Sequence, residues 1–387
     1  MAKRKAAKRE PESEAPAVPA VARGGAPWVR LAILVLAISN VLTYLVMERE
    51  VRYARGRAGY DGIQAAPDAA PPVNLRVING HEHLYKLEHL KNYMKAADAI
   101  GIEKTLIVAS SSFTFMGKEG KKEEGYEWSS EEVLKAAAAY PGKIIPVCSI
   151  YTGAPDKLEQ LKRHVAAGAQ GVKLYSGHSQ FYDQKLDDPA MSEVYSYCQE
   201  TELPIIWHVN MDNYGPEFVR VLEAFPKLKV ILPHFGVTFF RPKAQGFTDL
   251  QGLLDRFPSL SVDISFGTRD ILVQGLESVS ANTDVFRAFF QKYPSRIVFG
   301  SDMVITGNKE KTPEWYEACI RAMRDMLEKD RFHFYLGAKG STYAYAPANN
   351  TYGEFRGLAL PEDVLKQVYE TNILKALERP GAPAGAG

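Results

Sequence analysis

Cysteine is scarce in this chain of 387 residues, and the three cysteines lie far apart, at Cys148, Cys198 and Cys319. Their number and spacing exclude a disulfide framework and a Cys-x-x-Cys metal knuckle, so we interpret them as small core residues. Net charge is also low, with a formal value of +1 at pH 7. A nearly neutral chain has no global field that would attract nucleic acid, and we predict no nucleic-acid partner.

Long apolar runs are equally rare, and only one is long enough to cross a bilayer. Residues 1–27 mix Lys, Arg, Glu, Ala and Pro without periodicity, which predicts a disordered tail. Residues 28–47 are apolar and just long enough to span a membrane. A cleaved signal peptide is the alternative, but its apolar core is usually roughly 7–15 residues long and a small-x-small cleavage site should follow it. The run therefore predicts a transmembrane anchor and a lipid bilayer as a partner.

The distribution of basic residues bears on the orientation of this anchor. Seven Lys or Arg residues lie at or before Arg30, on the N-terminal side of the apolar run, and four follow it closely. This favours a cytoplasmic N-terminal tail and an extracytoplasmic body. Counting only the residues nearest the span would favour the opposite. Residues 48–72 are rich in proline and predict a semi-rigid linker. We thus expect a single-pass protein of the cell membrane.

From Val73 onwards, short β-branched runs alternate with amphipathic helical segments. Eight runs read as strands: Val73–Ile78, Thr105–Ala109, Ile144–Ile150, Gly171–Tyr175, Ile205–Val209, Val230–Pro233, Leu260–Ile264 and Arg296–Gly300. Pro216 and Pro313 suit the first turns of two of the intervening helices. Eight such units over about 300 residues predict an α/β fold, a (β/α)₈ TIM barrel, over residues 73–378, followed by a disordered tail at 379–387. An open doubly wound sheet should show a glycine-rich phosphate loop, which is absent.

The first strand runs into two histidines, His81 and His83. Alternate residues of a strand point to one face, so the two imidazoles leave the backbone side by side and form half of a metal site. A polar strand end that happens to carry two histidines is the alternative. Further potential ligands lie at the carboxyl ends of the fifth, sixth and eighth strands, at His208, His234 and Asp302. Because the carboxyl ends of barrel strands meet at one rim, these five residues predict a metal site there.

Several motifs, taken in this order, resemble the amidohydrolase superfamily in its amidohydrolase-related (family 2) branch. The resemblance covers about Val73 to Leu377. The motifs are His81-x-His83, Gly171-Val-Lys-Leu-Tyr175, Asp187-Asp-Pro189, Pro204-Ile-Ile-Trp-His208, Pro233-His-Phe-Gly236, Phe299-Gly-Ser-Asp302 and Glu370-Thr-Asn-Ile-Leu374.

The resemblance implies one divalent metal, usually zinc. It implies that His81, His83, His208 and Asp302 hold the ion and that His234 lies beside a bound water. Asp302 would then move the proton during attack by that water, and His234 would bind the developing oxyanion. One position departs from the family pattern, because Asn79 stands where an acidic residue is often found two residues before the first histidine. Asn79 is therefore not counted in the site.

Four further residues are candidates for binding a small-molecule substrate: Lys173, Tyr175, Arg241 and Arg269. The two arginines can clamp a carboxylate, although structural ion pairs are an equal alternative. Lys173 is either carboxylated, bridging two metals as in other branches of the superfamily, or a plain lysine. His178 follows a glycine in a loop and is interpreted as a surface histidine.

The family implies an enzyme, and two chemistries remain open. The first is metal-dependent hydrolysis of a C–N or C–O bond in an amide, lactone or ester. The second is metal-dependent decarboxylation of an aromatic or unsaturated acid by a lyase, since the same ligands serve both. A non-catalytic binding protein on the same barrel is a third alternative, and a homo-oligomer is left open.

Overall fold

The computed structural model describes the barrel and its helices, but not every loop. The described residues are 74–112, 121–122, 125–126, 129–178, 181, 184–237, 243–267, 270–334 and 354–380.

Eight parallel strands form one sheet in which each strand is hydrogen-bonded to its neighbour in chain order. They are β1 Val77–Leu84, β2 Ile102–Ala109, β3 Ile144–Ser149, β4 Val172–Leu174, β5 Ile205–Trp207, β6 Val230–Leu232, β7 Leu260–Asp263 and β8 Ile297–Val298. All eight overlap a run predicted from the sequence. The predicted TIM barrel is therefore confirmed as a nearly closed parallel barrel.

Backbone hydrogen bonds beyond the ends of β8 join it to β1. The Gly80 amide donates to the Phe299 carbonyl at 2.8 Å, and the Asp302 amide donates to the His81 carbonyl at 2.9 Å. Gly80 is required here because a Cβ atom would lie 2.6 Å from Val298 Cγ1 and 2.8 Å from the Phe299 carbonyl oxygen. The close approach of the two strands thus depends on a residue without a side chain.

The barrel interior is filled by β-branched and leucine side chains that point inward from alternate strand positions. They are Ile78, Leu106, Val108, Ile145, Val147, Ile206, Ile231 and Val298, and the side chains of Ile373 and Leu377 pack against them. Burial of each such side chain contributes about 1.5–3 kcal/mol. The opposite strand positions pack against the helices in a second, larger core. The strands are thus apolar on both faces, which explains their nearly continuous hydrophobic sequence.

The helices surround this sheet. They are α1 Leu90–Ala99, α2 Ser130–Ala139, α3 Lys157–Ala166, α4 Ser192–Glu200, α5 Met211–Ala224, α6 Lys243–Arg256, α7 Asp270–Ala281, α8 Thr283–Lys292, α9 Pro313–Glu328, α10 Glu362–Lys366 and α11 Asn372–Leu377. A π-helical turn, Gln367–Thr371, joins the last two. Two-stranded pairs lie outside the barrel, at Lys121–Lys122 with Gly125–Tyr126 and at Arg331–His333 with Glu354–Arg356.

Pro313 lies in the first turn of α9, as predicted, and the Thr312 side chain accepts a hydrogen bond from the Trp315 amide at 3.3 Å. The prediction for Pro216 is wrong, since this proline lies inside α5. The Asn210 side chain accepts from the Asp212 amide at 3.1 Å, so the helix begins one turn earlier than the proline suggested.

The expectation of a single-pass membrane protein is corrected by the structure. Within the residues it describes, no helix has both the length and the apolar character needed to cross a bilayer. Residues 28–47, on which that expectation depended, lie outside the described ranges, as do the predicted tail at 1–27 and the predicted linker at 48–72. Of the predicted C-terminal tail at 379–387, residues 381–387 also lie outside them.

Replacing Gly80 by alanine should destabilise the protein by about 1–3 kcal/mol, because the new methyl group overlaps Val298 and the Phe299 carbonyl. The matched control is Gly252→Ala in α6, where a Cβ would meet no atom within 4 Å. This control should be neutral or stabilising by up to about 1 kcal/mol, since alanine favours helix. Urea unfolding of both variants measures the difference, and equal stability of the two would contradict this account of barrel closure.

Candidate metal centre

An irregularity in β1 decides which of its side chains enter the barrel. In the pairing with β2, Asn79 lies opposite Thr105 and Glu82 opposite Ile107, so three steps on β1 match two on its neighbour. This β-bulge inverts the alternation of the strand. Ile78 points into the barrel below the bulge, and His81 and His83 point into it above the bulge. The predicted side-by-side arrangement of the two histidines is thus present.

The bulge turns Asn79 away from the histidines and into a polar network outside the barrel. Its side-chain amide donates to the Tyr93 hydroxyl at 2.8 Å and to Ser301 Oγ at 2.7 Å. The Glu82 carboxylate belongs to the same network and accepts from the Met303 amide at 3.1 Å. Asn79 therefore links β1 to the carboxyl end of β8 on the side that faces away from the histidines.

His234 and Asp302 both occupy left-handed backbone positions, with φ angles of 59° and 54°. Such conformations are strained for residues other than glycine and persist only where the surroundings enforce them. Here the His234 amide donates to Asp263 Oδ1 at 3.0 Å, and the Asp302 amide donates to the His81 carbonyl at 2.9 Å. Sharp turns after β6 and β8 thus aim both side chains at the barrel axis.

Three of the predicted ligands meet in one buried group, formed by His81, His83 and Asp302. His81 Nε2 lies 3.1 Å from His83 Nε2, and His83 Nε2 lies 3.2 Å from Asp302 Oδ1. Asp302 Oδ1 is buried and accepts no hydrogen bond from the described residues.

The arrangement of this group suits a metal ion. Two nitrogen ligands of a tetrahedral zinc ion, each about 2.05 Å from it, lie about 3.3 Å apart. This separation is close to that of the two Nε2 atoms, and a carboxylate oxygen without a hydrogen bond lies beside them. The donor set of two imidazoles and one carboxylate can therefore hold a borderline divalent ion.

The fourth predicted ligand, His208, lies next to this group rather than in it. Its ring centroid is 5.0 Å from that of His234 and 4.4 Å from that of His178. His178 is thus not the surface histidine expected from its loop position, because it packs half-buried against a predicted ligand. The prediction relied on Gly177, which is typical of an exposed loop. It did not anticipate that this loop packs against His208 at the end of β5.

Lys173 and Tyr175 also reach the centre, each in a different way. Lys173 is 1% exposed, and its Nζ makes no hydrogen bond to the described residues. The Tyr175 hydroxyl donates to Ser110 Oγ at 2.8 Å and lies 3.1 Å from His83 Nδ1. Arg241 and Arg269 lie outside the described residues, so their predicted role in binding a substrate is not tested.

Sequence analysis missed three residues that hold these histidines from behind: Asp263, Ser265 and Ser110. Asp263 Oδ2 lies 2.7 Å from His81 Nδ1, and Ser265 Oγ lies 2.9 Å from His234 Nδ1. Ser110 Oγ makes a short hydrogen bond with His83 Nδ1. A signal was present, because Asp263 lies at the end of the seventh predicted strand, Ser265 comes two residues later on the same face, and Ser110 follows the second predicted strand.

A family model described as amidohydrolase matches residues 121–379. The chain belongs to this family. No curated protein sequence matches the chain. The family match covers β3 to β8 and therefore includes His208, His234 and Asp302, while β1 with its two histidines lies before it.

Several solved structures share this fold. An uncharacterized TIM-barrel protein from Bordetella bronchiseptica is 18% identical, with a TM-score of 0.50, over 81% of this chain and 100% of that one. A probable 2-pyrone-4,6-dicarboxylic acid hydrolase from Acinetobacter baumannii is 12% identical, with a TM-score of 0.51, over 78% and 99%. A similarly described protein from Pseudomonas putida is 14% identical, with a TM-score of 0.51, over 79% and 98%. At these identities the likeness shows the fold alone.

Burial keeps the histidines of this amidohydrolase-family centre neutral. Desolvation is the main cause that lowers the pKa of His81, and it lowers the pKa values of His83 and His208 well below 6.5. It lowers the pKa of His234 to about 4. A neutral imidazole is the form that binds a metal or accepts a proton, so the site is ready for either role at neutral pH.

Lys173 and Asp302 are both buried, so desolvation disfavours the charged form of each side chain. Desolvation lowers the pKa of Lys173 to about 8, against the attraction of Asp302. Desolvation, together with the negative charge of Glu82, raises the pKa of Asp302 well above its ordinary value. A cation bound beside Asp302 would favour its ionised form and relieve this cost.

The stability of the metal-free protein should depend on the protonation of His234. Its pKa is about 4 when folded and near 6.5 when unfolded. Between these values the unfolded chain binds more protons, so the stabilisation is present above about pH 6.5 and is lost as the pH falls through this window. Between about pH 7 and pH 4.5 the free energy of unfolding of the wild type should fall by roughly 2 kcal/mol more than that of His234→Asn. Urea unfolding across this range tests the difference, and parallel curves would contradict it.

Proposed function

We propose that this protein is a metal-dependent hydrolase that cleaves a C–N or C–O bond in an amide, a lactone or an ester. The observation that carries the proposal is the buried group of His81, His83 and Asp302, whose ligand atoms all lie within 4.8 Å of one another. Buried polar atoms are normally satisfied, and a catalytic metal site is one setting in which this donor set occurs without full hydrogen bonding. Membership of the amidohydrolase family supports this interpretation.

The ion is proposed to be a single zinc held by His81, His83, Asp302 and the neighbouring His208. Imidazole and carboxylate ligands suit zinc, and a catalytic site leaves one position for water. When bound, such an ion acts as a Lewis acid and lowers the pKa of a water molecule towards about 7.

Asp302 is proposed to carry the proton of the reaction. Its carboxylate lies between two histidines, with Oδ1 3.2 Å from His83 Nε2 and Oδ2 3.8 Å from His234 Nε2. In the ionised form it accepts a proton from the attacking water and passes that proton to the leaving nitrogen or oxygen.

His234 is proposed to orient the water that attacks. Its Nδ1 lies 2.9 Å from the Ser265 carbonyl oxygen, which can only accept, so Nδ1 carries the proton. The neutral ring then presents a lone pair at Nε2, towards Asp302. This tautomer allows Nε2 to accept a hydrogen bond from the water. The oxyanion role expected from the resemblance requires a proton on Nε2 and hence the charged imidazolium.

Lys173 is proposed to stabilise negative charge on the substrate or on the tetrahedral intermediate. Its ammonium is buried beside the centre and makes no hydrogen bond to the described residues. A desolvated cation at this position would attract a carboxylate or an oxyanion strongly. Carboxylation of Lys173 would instead remove this charge and add a metal ligand, and the mass of the intact protein distinguishes the two states.

Asp302→Asn should abolish turnover, by at least about a thousandfold, and reduce bound zinc, because an amide neither shuttles a proton nor carries the ligand charge. The matched control is Asp255→Asn, which removes an exposed carboxylate in an ion pair with Lys292. Metal analysis and kinetics on both variants measure the effect. Full activity of Asp302→Asn after removal of metal would contradict the mechanism.

The reaction class is decided by a panel of lactones, amides, esters and aromatic carboxylic acids. A hydrolase should cleave the lactones, amides or esters without release of CO₂. Release of CO₂ from the acids would instead assign the decarboxylase alternative. Tight binding without turnover in any class, with zinc present, would favour the non-catalytic binding protein.

A further inference from the structure

Asp263 lies at the end of β7 and contacts two histidines that come from different strands. Its Oδ2 lies 2.7 Å from His81 Nδ1. Its Oδ1 accepts from the backbone amides of His234 and Ser265, both at 3.0 Å, and from Ser265 Oγ at 2.5 Å. The side chain is fully buried, so its hydrogen bonds are made to these protein groups. One carboxylate thus connects β1, β6 and β7 behind the centre.

The contact with His81 fixes which ring nitrogen carries the proton. A carboxylate that already accepts three hydrogen bonds on Oδ1 is held in its ionised form and can only accept on Oδ2. His81 Nδ1 must therefore be the donor. The neutral ring is left with a lone pair on Nε2, the atom that lies 3.1 Å from His83 Nε2.

The contact with Ser265 fixes His234 in the same way. The Ser265 hydroxyl hydrogen is directed to Asp263 Oδ1 at 2.5 Å, so Ser265 Oγ can only accept from His234 Nδ1, 2.9 Å away. The Ser265 carbonyl oxygen, also 2.9 Å from His234 Nδ1, accepts as well. His234 consequently presents the lone pair of Nε2 towards Asp302.

The surroundings of His83 differ, and the difference isolates the role of the carboxylate. His83 Nδ1 faces two hydroxyl groups, those of Ser110 and Tyr175. A hydroxyl group donates or accepts, so neither neighbour fixes the tautomer of this ring. Among the contacts of His81, the Asp263 carboxylate permits one proton arrangement alone.

We propose that Asp263 is a positioning residue that sets the tautomer of His81. It accepts the hydrogen bond of His81 Nδ1 directly and so leaves the lone pair of Nε2 for the metal. At His234 it reinforces, through the Ser265 hydroxyl, the tautomer that the Ser265 carbonyl already requires. The part that concerns metal affinity rests on the proposed function, whereas the tautomers belong to the metal-free chain.

The first test uses the metal-free wild-type protein. Long-range ¹H–¹⁵N correlations of its histidine rings distinguish Nδ1-protonated from Nε2-protonated imidazole, and the signals are assigned by their loss in His81→Gln and His234→Gln. Both rings should carry the proton on Nδ1. A proton on Nε2 of either ring would overturn the proposal, and this test requires no variant of Asp263 to fold.

The second test is Asp263→Asn, which preserves the shape of the side chain. Three donors surround Oδ1, so the amide oxygen must occupy that position and the amide NH₂ must face His81 Nδ1. His81 is then forced to accept at Nδ1 and to carry its proton on Nε2, while His234 keeps its tautomer. Zinc affinity, measured by competition with a chromogenic chelator, should fall by about 10- to 100-fold.

Two controls separate this effect from a purely structural one. Asp255→Asn makes the same substitution at the surface and should bind zinc like the wild type. Ser265→Ala removes the hydroxyl but leaves the carbonyl acceptor of His234, so neither ring should change its tautomer. An Asp263→Asn protein with an unchanged His81 tautomer and unchanged zinc affinity would refute the inference. A wild type with the expected tautomers but no affinity for zinc would refute the proposed function instead.

Discussion

The centre depends on one backbone hydrogen bond, from the Asp302 amide to the His81 carbonyl, which joins the eighth strand to the first. It holds one predicted metal ligand from the first strand and one from the last strand at the same height in the barrel. It also enforces the left-handed backbone that aims the Asp302 side chain inward. The approach that this bond requires is possible because Gly80 and Gly300 lack a Cβ, since at Gly300 a Cβ would lie 2.8 Å from that of His81.

A cluster of buried polar side chains in an apolar barrel is destabilising unless it is hydrogen-bonded or bound to an ion. The protein meets this cost in two ways. The histidines remain neutral, because burial lowers their pKa values, and their Nδ1 atoms are satisfied by Asp263, Ser265 and Ser110. By contrast, Asp302 Oδ1 accepts no hydrogen bond from the described residues, and Lys173 Nζ donates none to them. These are the two atoms to which the proposed function assigns an ion and a substrate.

Much of the fold could be predicted from the sequence, because each strand is short, β-branched and bounded by a helix. The boundaries near the site could not. The first strand was expected to end at Ile78, yet β1 continues to Leu84 and carries both histidines within it. The predicted end of this strand coincides with the end of its hydrophobic run. The part of β1 that carries the histidines has a polar inner face, so it does not show a hydrophobic pattern. Likewise, α5 begins before Pro216, since an Asn210 cap outweighs a proline as a start signal.

The sequence by itself determined the barrel, the family and the rim positions of His81, His83, His208, His234 and Asp302, because regular alternation places strand ends together whatever the loops do. Only the tertiary structure decided which of these atoms meet. It separated His208 from the group of three, turned Asn79 outward through a bulge, and brought His178 over β5. It also placed Asp263 behind His81, a contact between residues far apart in the chain. Such contacts depend on strand register and side-chain direction, which a single sequence does not encode in any local pattern.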